Sequence, residues 1–162
     1  MKLSDKLLKA FNEQIQKEYE SAYIYKGMEM YFADLGIDGF KHFFNKQAKE
    51  EVEHAEKFEN FVWEVDGKVE LEALNKPEQN YNSIIDVFKA GLEHEKFVSQ
   101  SIRDLLAIAI EEKHYAAENF LRGFVDEQVE EEDTFRGIVD MLEFVGDDKA
   151  AIFKINSMLG ER

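Results

Sequence analysis

Glutamate, glutamine and histidine residues stand in the middle of helical stripes that are otherwise apolar. The first stripe reads Leu8, Phe11, Ile15, Glu18, Ala22, Tyr25. Three further stripes have polar centres, which are Gln47, Glu51 and His54, then Glu95, then Gln128 and Glu131. Because the stripe members are three or four residues apart, each stripe faces the partner helices of a bundle. The side chains predicted to point into one core are those of Glu18, Glu51, His54, Glu95, Gln128 and Glu131.

Carboxylates in a core need a compensating positive charge. Burying one unpaired carboxylate costs on the order of several kcal/mol, and neighbouring carboxylates also repel one another. Glu18, Glu51, Glu95 and Glu131 together carry four negative charges, which two divalent metal ions would balance. Oxygen-rich ligation with one imidazole and no thiolate favours iron or manganese, and suits zinc less well. The residues therefore predict a dinuclear centre, with neutral His54 and Gln128 completing the ligand set.

Two pairs of these residues have i, i+3 spacing, namely Glu51 with His54 and Gln128 with Glu131. Side chains at this spacing leave the same helix face about one turn apart. Each pair can therefore bind one metal ion or bridge two. A Glu-x-x-His tetrapeptide alone is a weak signal, and its coincidence with Glu18 and Glu95 at the centres of other stripes makes it specific.

Four long helices and a short fifth helix are predicted to position these side chains. Their expected ranges are about 5–33, 38–65, 83–111, 115–145 and 149–159. Ser4, Asp38 and Ser83 are the predicted N-caps of the first three helices, because short polar side chains accept hydrogen bonds from free helical N–H groups.

The connections between the helices predict the topology. Short turns join the first helix to the second and the third to the fourth, so each pair should be antiparallel. The segment of about 66–82 is long enough to run back along the bundle, since about fifteen extended residues reach roughly 50 Å. The prediction is an all-α, single-domain four-helix bundle with one long crossover and a short C-terminal fifth helix.

Composition limits the classes of function. Hydrophobic residues make up 44% of the 162 residues, which suits one domain with a real core. The absence of cysteine excludes disulfides and thiolate metal sites. A formal charge of −15 disfavours nucleic acid and anionic membranes as partners. No signal peptide or membrane span is recognisable, so the expected location is the cytoplasm.

The chain closely resembles the non-haem bacterial ferritins over essentially its whole length. The resemblance is carried by Glu18 with Tyr25 downstream, His94-Glu95, and two longer segments. One segment reads Gln-Ala-Lys-Glu-Glu-Val-Glu-His over 47–54, and the other reads Phe-Val-Asp-Glu-Gln-Val-Glu-Glu-Glu over 124–132. The combination of these motifs is specific to that family.

The resemblance implies a role for each matched residue. Glu18, Glu51 and His54 would bind a first iron ion, and Glu51 would bridge to a second ion bound by Glu95 and Glu131. Gln128 and Tyr25 would lie beside this centre. A third iron site is expected at Glu50, Glu127 and Glu130.

The activity implied by the resemblance is oxidation and storage of iron. Ferrous iron would be oxidised by dioxygen or hydrogen peroxide. The ferric product would be stored as a mineral inside a cage of twenty-four identical subunits.

The chain lacks residues that related families of iron proteins require. Gln128-x-x-Glu131 replaces the second Glu-x-x-His that bacterioferritins carry, and Val52 stands where a haem-ligating methionine would be needed, so no haem is expected. A rubrerythrin-like peroxidase would usually bring a cysteine-ligated iron domain, which this chain lacks. The residues alone leave open a di-iron oxygenase acting on an organic substrate. A non-catalytic acidic bundle does not explain the core-facing carboxylates.

Overall fold

Five α-helices and no strands make up the chain, which a computed structural model describes from residue 1 to residue 162. The helices are α1 (Asp5–Leu35), α2 (Asp38–Glu64), α3 (Ile84–Glu111), α4 (Tyr115–Val145) and α5 (Lys149–Gly160). The predicted all-α class is confirmed. None of the helices is long and apolar enough to cross a membrane.

Side chains cap the helices largely where the sequence predicts them. Ser4 Oγ accepts a hydrogen bond from the Leu7 N–H at 3.0 Å, and Ser83 Oγ accepts one from Asp86 at 3.3 Å. The prediction for Asp38 is wrong, because Asp38 is itself the first residue of α2 and the capping position falls on Ile37, which makes no side-chain bond.

The start of α2 is instead capped by another helix. Asn156 of α5 accepts a hydrogen bond from the Phe40 N–H at 2.9 Å through Oδ1. The two helices approach so closely at this point that a Cβ added to Gly39 would lie 1.8 Å from the Asn156 carbonyl oxygen. The packing of α5 on α2 therefore supplies an acceptor that the α2 sequence lacks.

The long crossover between α2 and α3 runs back along α1. Successive α1 residues hold it by hydrogen bonds, in the order Asn12 with Lys68 and Glu70, Gln16 with Ala73, and Glu20 with Asn75. Further along, Gly27 lies against the Glu78 carbonyl, and an added Cβ would sit 2.2 Å from that oxygen. The crossover therefore follows α1 toward its C-terminus, and α3 starts there, parallel to α2.

The bundle core consists of two apolar clusters with a polar layer between them. One cluster contains Tyr25, Phe44, Phe88 and Phe135 from the four long helices. The other contains Ile15, Phe58, Val98 and Phe124 from the same helices. On every long helix, the predicted site residues lie between a member of one cluster and a member of the other. Aromatic packing above and below therefore fixes the polar layer in a rigid frame.

Candidate metal centre

The structure brings all six residues of the predicted dinuclear centre into this polar layer. None of them is more than 8% exposed, and they are Glu18, Glu51, His54, Glu95, Gln128 and Glu131. They come from all four long helices, one from α1, two from α2, one from α3 and two from α4. Four buried carboxylates thus share one enclosed space, as their positions in the stripes predict.

The most compact part of the centre lies between α1 and α2. Ligand atoms of Glu18, Glu51 and His54 all lie within 4.8 Å of one another. His54 Nδ1 is 3.2 Å from Glu51 Oε2 and 3.9 Å from Glu18 Oε2. Glu18 Oε2 is the only buried side-chain oxygen or nitrogen atom in the chain without a hydrogen-bond partner. A cation placed here would satisfy that oxygen, so the donor set fits a divalent metal ion.

The other two carboxylates are held by hydrogen bonds within the protein. Glu95 accepts from the Tyr25 hydroxyl through Oε1, and from Gln128 Nε2 at 3.0 Å through Oε2. Glu131 Oε2 accepts from Gln47 Nε2 at 2.9 Å. Neither carboxylate belongs to the compact cluster around Glu18. A second ion bridged by Glu51 would therefore require Glu95 and Glu131 to exchange some of these partners for the metal.

Burial dominates the electrostatics of the four carboxyl groups. It raises the pKa of Glu18 and Glu51 well above the ordinary value of 4.5, and neighbouring negative charges add to the effect. Burial also raises the pKa of Glu95, and it raises that of Glu131 to about 7. Because the charged forms are disfavoured, the centre has a strong electrostatic preference for a positive ion.

Tyr25 reaches the centre from the apolar cluster on one side. Burial, followed by the charge of Glu95, raises the pKa of its phenol well above 10, which keeps the hydroxyl protonated. His94 packs edge-on against the Tyr25 ring, with the ring centroids 5.8 Å apart. Burial lowers the pKa of His94 to about 4, and its Nε2 lies 2.7 Å from Ser21 Oγ. The neutral His94 ring therefore packs against Tyr25 without placing a positive charge beside it.

The three residues of the expected third site line one cleft beside the centre. This cleft has a volume of about 240 Å³ and is bordered by Glu50, Glu127 and Glu130, together with Gln47 and Glu131. Glu131 therefore faces both the cleft and the dinuclear centre. Lys46 and Arg162 also line the cleft, so its charge is not purely negative.

Several supporting residues escaped the sequence reasoning. Gln47 gave a signal, since it is a polar member of the α2 stripe one turn before Glu51. Ser99 lies 3.1 Å from Gln128 Nε2, and Gln14 donates to Glu18 Oε1 at 2.7 Å. Neither of these two residues belongs to a stripe. The bond from Gln14 to Glu18 has i, i+4 spacing within α1, whereas the contact of Ser99 with Gln128 joins α3 to α4 and follows from no spacing within one helix.

Comparison with protein families matches residues 8–145 to the Ferritin-like domain. A bacterial non-heme ferritin of Bacteroides fragilis is 40% identical over 160 residues, covering 99% of each chain. One from Campylobacter jejuni is 41% identical over 145 residues, covering 90% of this chain and 87% of the relative. Among solved structures, the open-pore ferritin of Archaeoglobus fulgidus superposes with a TM-score of 0.97 at 39% identity, covering 99% of both chains.

Proposed function

This chain belongs to the ferritin family and is an iron-storage ferritin, and on that premise we propose that it oxidises ferrous iron at the buried centre. The ferrous ions are the substrate. Each loses one electron at the centre, and dioxygen or hydrogen peroxide accepts the electrons. The protein contributes the positions and charges of its ligands, while the metal pair carries out the redox chemistry.

The first ferrous ion binds Glu18, Glu51 and His54. The second binds Glu51, Glu95 and Glu131, with Gln128 beside it, so that Glu51 bridges the pair. Tyr25 orients Glu95 through its hydroxyl. Two divalent ions bring four positive charges to the four carboxylates, which offsets both the burial and the mutual repulsion that raise their pKa values in the metal-free protein.

One observation carries the proposal. The ligand atoms of Glu18, Glu51 and His54 converge within 4.8 Å, and the converging Glu18 oxygen has no partner in the protein. A structural ion-pair network would instead satisfy its carboxylates with arginine or lysine. No salt bridge in the chain joins Glu18, Glu51, Glu95 or Glu131 to a lysine or an arginine.

The cleft of Glu50, Glu127 and Glu130 provides a third position next to the centre. Ferric ions leaving the dinuclear site pass through this position to a mineral stored inside a cage of twenty-four subunits in the cytoplasm. Glu131 faces both spaces and is the shared ligand along this route. The negative charge of the cleft lowers the cost of moving a trivalent ion through it.

The site assignment is tested by Glu95→Ala and Glu131→Ala, with Asp140→Ala as the control at an exposed acidic residue of α4. Ferric absorbance is followed after ferrous iron is added to the metal-free protein in air. Loss of one ligand should slow the initial rate about tenfold or more. Asp140→Ala should match the wild type, and all variants should elute as the same assembly. Unchanged rates in both site variants would refute the assignment.

Storage is tested separately by running the iron-loaded protein on a sizing column with iron and protein detection. More ferric iron than the centre can bind, eluting with a cage-sized species, supports storage in a cage. About two iron ions per chain on a small oligomer would instead indicate the di-iron oxygenase alternative.

A further inference from the structure

A chain of hydrogen bonds connects a lysine near the surface of α1 to the buried carboxylate of Glu18. Lys17 Nζ donates to Ser101 Oγ at 3.0 Å, and Ser101 Oγ donates to Gln14 Oε1. Gln14 Nε2 then donates to Glu18 Oε1 at 2.7 Å. Gln14 and Ser101 are 1% and 8% exposed, so the two bonds nearest Glu18 lie inside the bundle.

The directions of these bonds follow from the two ends of the series, which are the lysine and the carboxylate. An ammonium group has only donors, so the Ser101 oxygen must accept from Lys17. The single hydroxyl hydrogen of Ser101 is then free for the Gln14 carbonyl. An ionised Glu18 carboxylate has only acceptors, so the Gln14 NH₂ group faces Glu18 and the Gln14 carbonyl faces Ser101. A flipped Gln14 amide would place its oxygen against the carboxylate and lose the bond to Glu18.

The two carboxylate oxygens of Glu18 have different surroundings. Oε1 is held by Gln14, while Oε2 lacks a partner and lies 3.9 Å from His54 Nδ1. The hydrogen bonds from Lys17 through Ser101 and Gln14 to Glu18, which we call the relay, therefore fix the carboxylate. Its unpaired oxygen points toward Glu51 and His54. A carboxylate bound through one oxygen, with the other held by the protein, is a common arrangement of a metal ligand.

We infer that Lys17, Ser101 and Gln14 are positioning residues that present Glu18 Oε2 to the first ferrous ion. This inference rests on the proposed function of the centre and adds residues outside its ligand set. The relay spans two helices, since Ser101 is on α3 and the others are on α1. It therefore links the orientation of a ligand on α1 to the packing of α3 against α1.

The inference is tested with Ser101→Ala, which frees the Gln14 carbonyl and allows the amide to flip. Ser101→Thr is the rescue variant because it keeps the hydroxyl, and Ser157→Ala is the control at an exposed serine of α5. Lys17→Met removes the first donor at a half-buried position and keeps most of the apolar stem. Binding of Co²⁺ without oxygen is followed by calorimetry and by visible absorption of the bound ion.

Ser101→Ala should weaken binding of the first Co²⁺ about tenfold or more and change its absorption spectrum, while the second ion binds nearly as before. Ser101→Thr should restore both properties, and Lys17→Met should give a smaller loss of affinity for the first ion. Equal weakening of both ions, or a thermal destabilisation without a selective loss at the first ion, would overturn the inference.

A second measurement separates this inference from the proposed function. Failure of wild-type protein to bind Co²⁺ in a manner that Glu18→Ala abolishes would contradict the proposed centre itself. The relay is then decided by crystal structures of metal-free wild type and Ser101→Ala. Reorientation of the Gln14 amide and the Glu18 carboxylate in the variant supports the relay. An unchanged Glu18 orientation overturns it, whatever metal the protein binds.

Discussion

His54 Nε2 lies 3.5 Å from Glu127 Oε1, on the opposite side of the imidazole from the proposed dinuclear centre. His54 Nδ1 faces the centre, 3.2 Å from Glu51 Oε2. In the metal-free protein the shorter contact is the hydrogen bond between Nδ1 and Glu51. A metal ion bound through Nδ1 requires the tautomer with its hydrogen on Nε2, and Glu127 Oε1 is the carboxylate oxygen placed to accept that hydrogen. The His54 imidazole thus lies between Glu127 of the cleft and the proposed first metal position.

We predict that Glu127→Ala weakens binding of the first metal ion about tenfold or more, because the imidazole loses the acceptor that its metal-binding tautomer needs at Nε2. Glu130→Ala is the matched control. It removes a carboxylate from the same cleft without touching His54, so the first ion should bind with wild-type affinity. Anaerobic titration with Co²⁺ measures both. Identical affinities in the two variants would show that Glu127 does not position His54.

Glu51→Gln should abolish rapid iron oxidation and yet raise the melting temperature of the metal-free protein. A neutral amide of the same shape removes the cost of a buried charge, a change on the order of 1 kcal/mol or more. In a chain of this size that corresponds to a few degrees, at about 2–4 °C for each kcal/mol.

The rise in melting temperature caused by Glu51→Gln should depend on pH in a defined direction. Burial raises the folded-state pKa of Glu51, so the folded wild type holds its proton more tightly than the unfolded chain. Its stability contribution is present at low pH and is lost as the pH rises through the folded pKa. Calorimetric melting at pH 5 and pH 8 should therefore show a larger gain at pH 8. A larger gain at pH 5 would contradict this account.

Metal binding should release protons near neutral pH and weaken as the pH falls below about 7. Burial raises the pKa of Glu131 to about 7, so a substantial fraction of this group is protonated there before a cation arrives. Calorimetry of Co²⁺ binding in two buffers with different ionisation enthalpies counts the protons released. The Glu131→Gln variant should release fewer protons than the wild type when it binds Co²⁺ at pH 6.5. Equal proton release from the variant and wild type would show that Glu131 is already ionised.

Gly27→Ala should destabilise the protein, because the new methyl group would meet the Glu78 carbonyl and displace the crossover from α1. Gly137→Ala is the matched control on another long helix, where an added Cβ has nothing within 4 Å. That change should stabilise the chain by about 0.5–1 kcal/mol through helix propensity. Thermal melting of the two variants distinguishes the effects, and equal shifts would contradict the close contact at Gly27.

The sequence by itself determined the helices and the residues of the polar layer. Helix periodicity is a local property, so the positions of Glu18 and Glu95 within apolar stripes are sufficient to place them in a core. The spacing of Glu51 and His54 in the same way places both on one face of α2. The first and third predicted caps, Ser4 and Ser83, were also found, because a capping bond spans only three residues.

Only the tertiary structure decided how the polar layer is supported. Ser101 contacts Gln14 across 87 positions of sequence, and Asn156 replaces the expected Asp38 cap across 116 positions from Phe40. Such contacts depend on the rotation of each helix about its axis and on its axial offset from its neighbours. Both are set by the packing of the aromatic clusters above and below the site, and periodicity within one helix does not contain them.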